Sequence, residues 1–312
     1  MTFPDAFAGR LVEILGEEAA ASALAHMRER QRPCYRVNTL KARVDDVRAE
    51  LEREGVASEP LPFVAEAFVA RREDRERLTH SAAADEGRIY IQNAASLVPV
   101  LLLDPRPGER VLDLAAAPGG KTLFIAARMG GEGELSAVEK VKPRFFKLKD
   151  NLRRHGAGFV RTFLMDGALV AKKTPERFDR VLLDAPCSSE ARFLASDPET
   201  FSKWSERKIG EMVKKQTRLL GAAIAASRPG GVIVYSTCSF APEENEGVVD
   251  AALSRFQGVV ELEPIELSLP NGRPGLTRFR ERAFSAELTK TLRLLPDDVM
   301  HGFFVAKLRK RS

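Results

Sequence analysis

Two cysteines follow directly on apolar runs: Cys187 in VLLDAPCSSEAR (181–192) and Cys238 in GVIVYSTC (231–238). Such short apolar runs read as buried strands, so each thiol stands where a strand gives way to a loop. A thiol there can be a nucleophile, a helper to one, or a small apolar filler. Methyl transfer to oxygen or nitrogen needs no thiol, because the acceptor already has a lone pair. Carbon 5 of cytosine is too weak a nucleophile to attack a sulfonium methyl unaided. A thiolate added at carbon 6 makes the ring an enamine-like nucleophile. A carboxylic acid at the ring nitrogen stabilises the charge that develops, and a base then removes the carbon 5 proton so that the thiolate leaves. Asp184, just before Pro186 and Cys187, is the natural ring-nitrogen partner. Together the two thiols select pyrimidine chemistry.

A methyl donor needs a site, and DLAAAPGGKT (113–122) supplies the first part of one. Glycines let a loop approach a ligand closely, and the helix that follows offers free N–H groups to an anion. A phosphate-binding P-loop anchored on Gly120, Lys121 and Thr122 would need glycine at 115, which is Ala115. The contiguous Pro118-Gly119-Gly120 also breaks the dinucleotide fingerprint. Glu139 ends the next strand-like run at a distance suited to a ribose diol. Asp166 ends the third, where a carboxylate can take an adenine amino group. A glycine loop with two such acids describes an adenosine ligand carrying a carboxylate tail, as S-adenosylmethionine does.

These residues need a frame. Strand-like runs at 109–115, 133–139, 159–166, 178–185 and 231–238 alternate with helical stretches at 122–129, 142–155, 206–228 and 242–256. That rhythm predicts a parallel sheet covered on both faces, with ligands at the carboxyl ends of its strands. Upstream, residues 7–29 read as one or two amphipathic helices and CYRVNTLK as a short strand. A helix with Leu40, Val44, Val47 and Leu51 on one face follows, stopped by Gly55, and then two strands around 56–70. The expected division is a small N-terminal α/β domain at 1–85 and a catalytic domain at 86–312.

Composition is ordinary for a globular chain of 312 residues, with 44% hydrophobic and 30% charged residues. The longest nearly apolar stretch, 94–103, is too short for a membrane span, and the amino-terminal residues lack a signal-peptide pattern, so a cytoplasmic protein is expected. Three dispersed cysteines give no disulfide framework, and the four histidines lack metal-ligand spacing. No metal is expected. The net charge of +5 and pI near 9.1 fit a nucleic-acid partner. Arg28, Arg30, Arg32, Arg36, Lys41 and Arg43 crowd one stretch, and KLRKRS closes the chain.

The motifs RVNTLK (36–41), IQNAAS (91–96), PGERVLDLAAAPGGKT (107–122), LLDAPCSS (182–189), PGGVIVYSTCSFAPEENEGVV (229–249) and GFFVAKLRK (302–310) are spread in order along most of the chain. Together they resemble the RNA cytosine-5 methyltransferases of the Sun/Fmu (RsmB/NOP) type. The resemblance implies a Rossmann-like S-adenosylmethionine methyltransferase sheet, mostly parallel with one antiparallel strand near the C-terminus, and an RRM-like N-terminal domain that positions RNA. It implies that Cys238 attacks the base, Cys187 assists breakdown of the adduct, Asp184 holds the cytosine, and Lys121 lies beside the reacting groups. Ala115, Ala116, Ala117, Pro118, Gly119, Gly120, Lys121, Glu139, Arg144, Asp166 and Asp184 would line the cofactor pocket, with Pro186 shaping the loop beneath the base. The implied substrate is a flipped-out cytosine in ribosomal RNA, or second in transfer RNA, handled by a monomer whose targeting could involve a protein partner. Two departures stand out: Ser188-Ser189-Glu190-Ala191 replaces the usual S-G-x-G, and Ala115 replaces a non-catalytic cysteine. A DNA cytosine-5 methyltransferase would instead attack through Cys187, but the PCQ and ENV motifs of that class are missing. A non-catalytic RNA-binding assembly factor would show degraded motifs, which these are not.

Overall fold

The computed structural model describes residues 3–311. Two helices open the chain, α1 (Asp5–Leu15) and α2 (Glu17–His26). A small unit follows: β1 (Cys34–Val37), α3 (Val44–Arg53), β2 (Ser58–Leu61), β3 (Val64–Ala70), α4 (Arg75–Thr79), α5 (Ala82–Asp85) and β4 (Ile89–Gln92). Its four strands pair antiparallel in the order β2-β3-β1-β4, the βαββαβ arrangement of ferredoxin-like folds. Leu40, expected on the helix face, lies half-buried in the turn before α3.

Strand alternation divides the small sheet's side chains between two cores. Tyr35, Val37 and Phe68 pack with Val47 and Leu51 of α3, while Cys34, Ala67 and Val69 join a cluster that includes Phe124 and Leu103. Both faces are therefore covered. Arg36 is fully buried, its guanidinium 4.6 Å from the centroid of Phe124, with Nε and Nη2 unpartnered. It is not part of the basic face expected for residues 28–43, and burial pulls its pKa down to about 10. The small unit also departs from the expected division at 85/86. β4 lies past that point yet completes the sheet, and α1 precedes it yet buries Phe7 and Leu11 in the cluster holding Phe193 and Leu220.

After α6 (Val98–Leu103), strands and helices alternate: β5 (Arg110–Asp113), α7 (Gly120–Arg128), β6 (Glu134–Glu139), α8 (Lys142–Arg154), β7 (Arg161–Leu164), α9 (Val170–Lys173), β8 (Phe178–Asp184), α10 (Glu206–Ala226), β9 (Ser227–Thr237) and α11 (Glu246–Arg255). Val181, Leu182 and Leu183 of β8 are all buried, as a strand covered on both faces requires. α10 starts where the Ser205 hydroxyl accepts the Lys208 N–H, and it buries Ile209, Met212, Gln216, Leu219 and Leu220 as one stripe. The parallel strands run β7-β6-β5-β8-β9, so strand order reverses between β5 and β8. Among the described residues no helix is long and apolar enough to cross a membrane.

Beyond β9 come β10 (Val260–Glu263), β11 (Gly272–Pro274), the hairpin β12 (Arg278–Phe279) and β13 (Arg282–Ala283), β14 (Leu292–Leu294) and β15 (Phe303–Lys310). β15 pairs antiparallel with β9 and carries β14 and β10 on its other side, with β11 beyond β14. The antiparallel part thus extends past the single expected strand. The basic tail is built into it: Lys310 pairs with Glu176 at 2.8 Å and Arg311 with Glu261 at 2.7 Å.

Arg293 of β14 meets Glu246, the first residue of α11, through two bonds of 2.6 and 2.5 Å, and both side chains are buried. Its third bond, 3.0 Å, goes to the carbonyl of Phe240, two residues past Cys238. Removing one partner of a buried pair strands the other charge. Arg293→Met should therefore cost about 3–5 kcal/mol in chemical denaturation, and adding Glu246→Leu should recover part of that. Equal losses for the single and double variants would show that the pair does not hold this region.

Candidate active site

Parallel pairing sets Asp184 of β8 opposite Ser236 of β9. The Ser236 hydroxyl donates to Asp184 Oδ1 at 2.9 Å, and Lys121 Nζ donates to Oδ2 at 2.6 Å. Lys121 arrives on the first turn of α7 and lies over the Phe303 ring, 5.6 Å from its centroid. Three residues past Asp184 and two past Ser236, Cys187 and Cys238 bring their sulfurs to 3.4 Å. Lys121, Asp184, Cys187, Cys238 and Phe303 share a cavity of about 750 Å³ at the carboxyl ends of the strands, where the order reverses, with Ser236 buried behind Asp184.

The two thiols titrate as a pair with opposite leanings. Cys187 is pushed well above the usual thiol range, first by its hydrogen bond to Cys238 and then by burial. Cys238 is held below that range, first by accepting the Cys187 bond, against burial, with the Arg192 charge also favouring the thiolate. The pair therefore leans toward a proton on Cys187 and a negative charge on Cys238. Cys34, buried in β1 and off the cavity wall, is pushed up to about 12 by burial.

The loop after β8 explains the departure from S-G-x-G. Ser189 takes φ +61°, the left-handed region that glycine would fill without strain. Ala191 stands at the second glycine position, and a Cβ on Gly302 would come within 3.1 Å of its own Cβ. Glu190 turns inward and is fully buried. Its Oε2 accepts the Phe240 and Ala241 N–H groups and the Ser239 hydroxyl, each at 3.0 Å, while Oε1 accepts Trp204 Nε1 at 2.8 Å. Glu244 accepts the Ser188 N–H at 2.9 Å and Gln216 Nε2 at 2.7 Å, and burial raises its pKa. Pro186, whose carbonyl also accepts Gln216 Nε2 at 2.9 Å, lines the cavity beside Cys187.

At the glycine-loop end, Ala115, Ala116, Ala117, Pro118, Gly120, Lys121 and Arg144 line the same cavity. Gly119 stands behind them at φ +111°, where a Cβ would press on Leu148 at 3.0 Å. Arg144 donates to the Ala117 carbonyl at 2.6 Å and sits 3.7 Å from Glu139. Glu139 is buried and caps the Val141 N–H at 2.8 Å. Asp166 is held below the usual carboxylate range, first by Lys140 at 2.8 Å. Glu139 ends β6 and Asp166 lies two residues past β7, further along the sheet edge and off the cavity wall formed by the others.

Several cavity residues escaped the sequence. Asp113 ends β5 directly before the glycine loop, a strand-end position that could have flagged it. It is fully buried, with Oδ2 accepting Thr122 Oγ1 at 2.6 Å and Oδ1 without a partner, and burial pushes its pKa up to about 6. Ser236, buried behind the cavity wall, would have been found by asking what faces Asp184 across the pairing. Tyr90 and Gln92 of β4 form a wall against Gly120, where a Cβ would come within 2.6 Å of the Tyr90 ring. His301, pushed down to about 4 by burial and by the Arg192 charge, is a neutral imidazole on the wall.

Comparison with known proteins places the chain in a family. Residues 100–309 match the family described as 16S rRNA methyltransferase RsmB/F, and residues 3–94 match the N-terminal domain of 16S rRNA methyltransferase RsmF. A tRNA (cytosine(49)-C(5))-methyltransferase of Pyrococcus abyssi is 38% identical over 291 residues, covering 92% of this chain and 90% of that protein. A ribosomal RNA small subunit methyltransferase F of Enterobacter sp. is 36% identical over 99% of this chain, which spans only 64% of that relative's length. Among solved structures, a methyltransferase homolog from Pyrococcus horikoshii superposes with TM-score 0.84 at 36% identity, covering 99% of this chain and 95% of that one. NSun6 from Pyrococcus horikoshii with SFG does so with TM-score 0.84 at 25% identity, covering 100% and 99%. With its model matched over two thirds of the residues and a relative 38% identical across nearly the whole length, the chain belongs to the RsmB/F family of RNA methyltransferases.

Proposed function

We propose that this chain transfers a methyl group from S-adenosylmethionine to carbon 5 of a cytosine in RNA through a covalent Cys238–cytosine adduct. The observation that carries the reading is the 3.4 Å approach of two thiols, one leaning to thiolate and one to thiol, beside Asp184. Small-subunit ribosomal RNA is the first candidate substrate, from the family description, and transfer RNA the second, because the Pyrococcus abyssi relative matches over nearly its full length. A cytoplasmic site of action, a monomer, and an RNA-positioning role for the small unit belong to the same proposal.

The residues fit the cofactor. SFG, bound in the NSun6 structure, is an S-adenosylmethionine analogue, and an orphaned carboxylate oxygen on Asp113 suits the ammonium of a methionine tail. The alanines of the loop and Gly120 leave room beside it, with Glu139 and Asp166 proposed for ribose and adenine. When bound, the cofactor supplies the electrophilic methyl. The Cys238 thiolate adds to carbon 6 of the cytosine, and carbon 5 takes the methyl. Asp184, fixed on both oxygens by Lys121 and Ser236, faces the ring nitrogen where charge develops. Once a base has taken the carbon 5 proton, the carbon 6–sulfur bond breaks. The Cys187 thiol hydrogen-bonds the departing Cys238 sulfur and eases its release. The opposite assignment, as in DNA-type enzymes, would ask the thiol with the raised pKa to attack.

Three outcomes test the reading. With labelled S-adenosylmethionine and unmodified RNA, Cys238→Ala should give neither methylation nor adduct. Cys187→Ala should still attack but turn over ~10²-fold more slowly, and accumulate a covalent protein–RNA species on denaturing gels. An adduct that needs Cys187 instead would reverse the roles. In alkylation by iodoacetamide at about pH 7.5, Cys238 should be modified first, since a lowered pKa enriches its thiolate below the usual thiol range. Cys187→Ala removes the donor, so Cys238 should react more slowly at the same pH; preferential labelling of Cys187 in the native protein would contradict the pair's polarity. For Asp113, ionisation favours an ammonium partner, so affinity for S-adenosylmethionine should be full above about pH 6 and fall as pH drops through it. Asp113→Asn should bind about tenfold more weakly at pH 8 and lose that pH dependence in calorimetry. An unchanged profile removes Asp113 from the cofactor site.

A further inference from the structure

Arg192 lies between two pinned neighbours. Ala191 is buried and donates its N–H to the Cys238 carbonyl at 3.1 Å. Phe193 is buried against Phe7 of α1, with ring centroids 5.0 Å apart. Just upstream, Glu190 is fixed by Trp204 and by the backbone beyond Cys238. The backbone is therefore held on both sides, while the Arg192 side chain is exposed and lines the cavity with Cys187, Cys238 and His301.

The other cations on this wall differ from it in place or in partner. Lys121 is engaged with Asp184 at 2.6 Å, and Arg144 with the Ala117 carbonyl and Glu139. Lys147 stands beside Arg144 on α8, at the glycine-loop end. Arg192 stands at the thiol end, and among the described residues no carboxylate lies within ion-pair distance of it. The field of its charge reaches both Cys238 and His301.

An unpaired guanidinium presents a planar fork of donors that matches phosphate through two parallel hydrogen bonds. A nucleotide flipped far enough to put its base on Cys238 carries its backbone phosphates to the cavity mouth. We propose that Arg192 binds a phosphate flanking the target cytosine, clamping the flipped nucleotide over the thiol pair. This rests on the reading of the chain as an RNA cytosine methyltransferase and adds the group that seats the substrate's backbone.

The test compares native protein, Arg192→Ala and Arg192→Lys, using unmodified transcripts of small-subunit ribosomal RNA and of transfer RNA. RNA binding is followed by fluorescence anisotropy over a salt series, with methyl-transfer kinetics and S-adenosylmethionine affinity measured in parallel. Arg192→Ala should raise KM for RNA about tenfold with a smaller change in kcat, and lower the slope of log Kd against log salt by ~1. Arg192→Lys should recover part of both, and cofactor affinity should stay constant throughout. An unchanged salt slope overturns the proposal. So does a matching loss of cofactor affinity, which would mark Arg192 as a loop-folding residue. Native protein that methylates no cytosine yet keeps an Arg192-dependent salt slope would defeat the reaction reading and leave the phosphate contact standing.

Discussion

Parallel pairing of β8 with β9 is the constraint from which the site follows. Because Asp184 sits opposite Ser236, the strands end level, and the loops that leave them carry Cys187 and Cys238 out side by side. A slip of one residue would turn every alternate side chain to the other face, separating Asp184 from Ser236 and the thiols from each other. The register is defended by burial on both faces, with Leu182, Leu183, Val234 and Tyr235 all inside. Lys121 then closes the third side from the neighbouring β5–α7 unit, so three successive strand ends converge on one carboxylate.

Holding two loops level at a sheet edge needs more than strand pairing, and two buried carboxylates supply the rest. Glu190 and Glu244 have no cationic partner among the described residues; they are satisfied by backbone N–H groups, hydroxyls, an indole and an amide. A carboxylate can accept several such bonds at once, so each gathers segments distant in sequence around one point. Glu190 ties the loop after β8 to the backbone after β9, and Glu244 ties that backbone to Ser188 and α10. Arg293 and Glu246 brace the same segment from behind through the Phe240 carbonyl. In this chain the strain of Ser189 in the left-handed region is borne by that network, where the common pattern uses glycine.

What the sequence disclosed follows the physics of each element. β6 and α8 were placed within a residue or two because their signals are local: a run buried on both faces, and a helical period behind Pro143. The thiol pair and Asp184 were found because strand-end position and residue type point the same way. β4 was missed since IYIQ is four residues long and its packing partner, Gly120, leaves no side-chain pattern to read. Glu190 read as a surface acid in a loop, and only the backbone amides that turn toward it make it a core residue. Arg36 failed the other way, as a charge counted with its neighbours on a basic face although strand alternation points it inward.

That inward arginine changes what the small unit does. A ferredoxin-like sheet that reads RNA with its helix-free face needs that face open, yet here it carries Cys34, Arg36 and Val69 into the core shared with Phe124. A desolvated guanidinium over a phenyl ring is worth roughly 2 kcal/mol, and it joins β1 to α7, the helix that begins in the glycine loop. Tyr90 and Gln92 press on Gly120 from the same sheet. The small unit is therefore first a wall of the cavity, packed directly against the glycine loop. RNA must then be met at rims, by charges that stay free after folding, rather than on a stacking platform. The basic tail is spent on nearby carboxylates, Lys310 on Glu176 and Arg311 on Glu261, whereas Arg192 at the cavity has no such partner among the described residues.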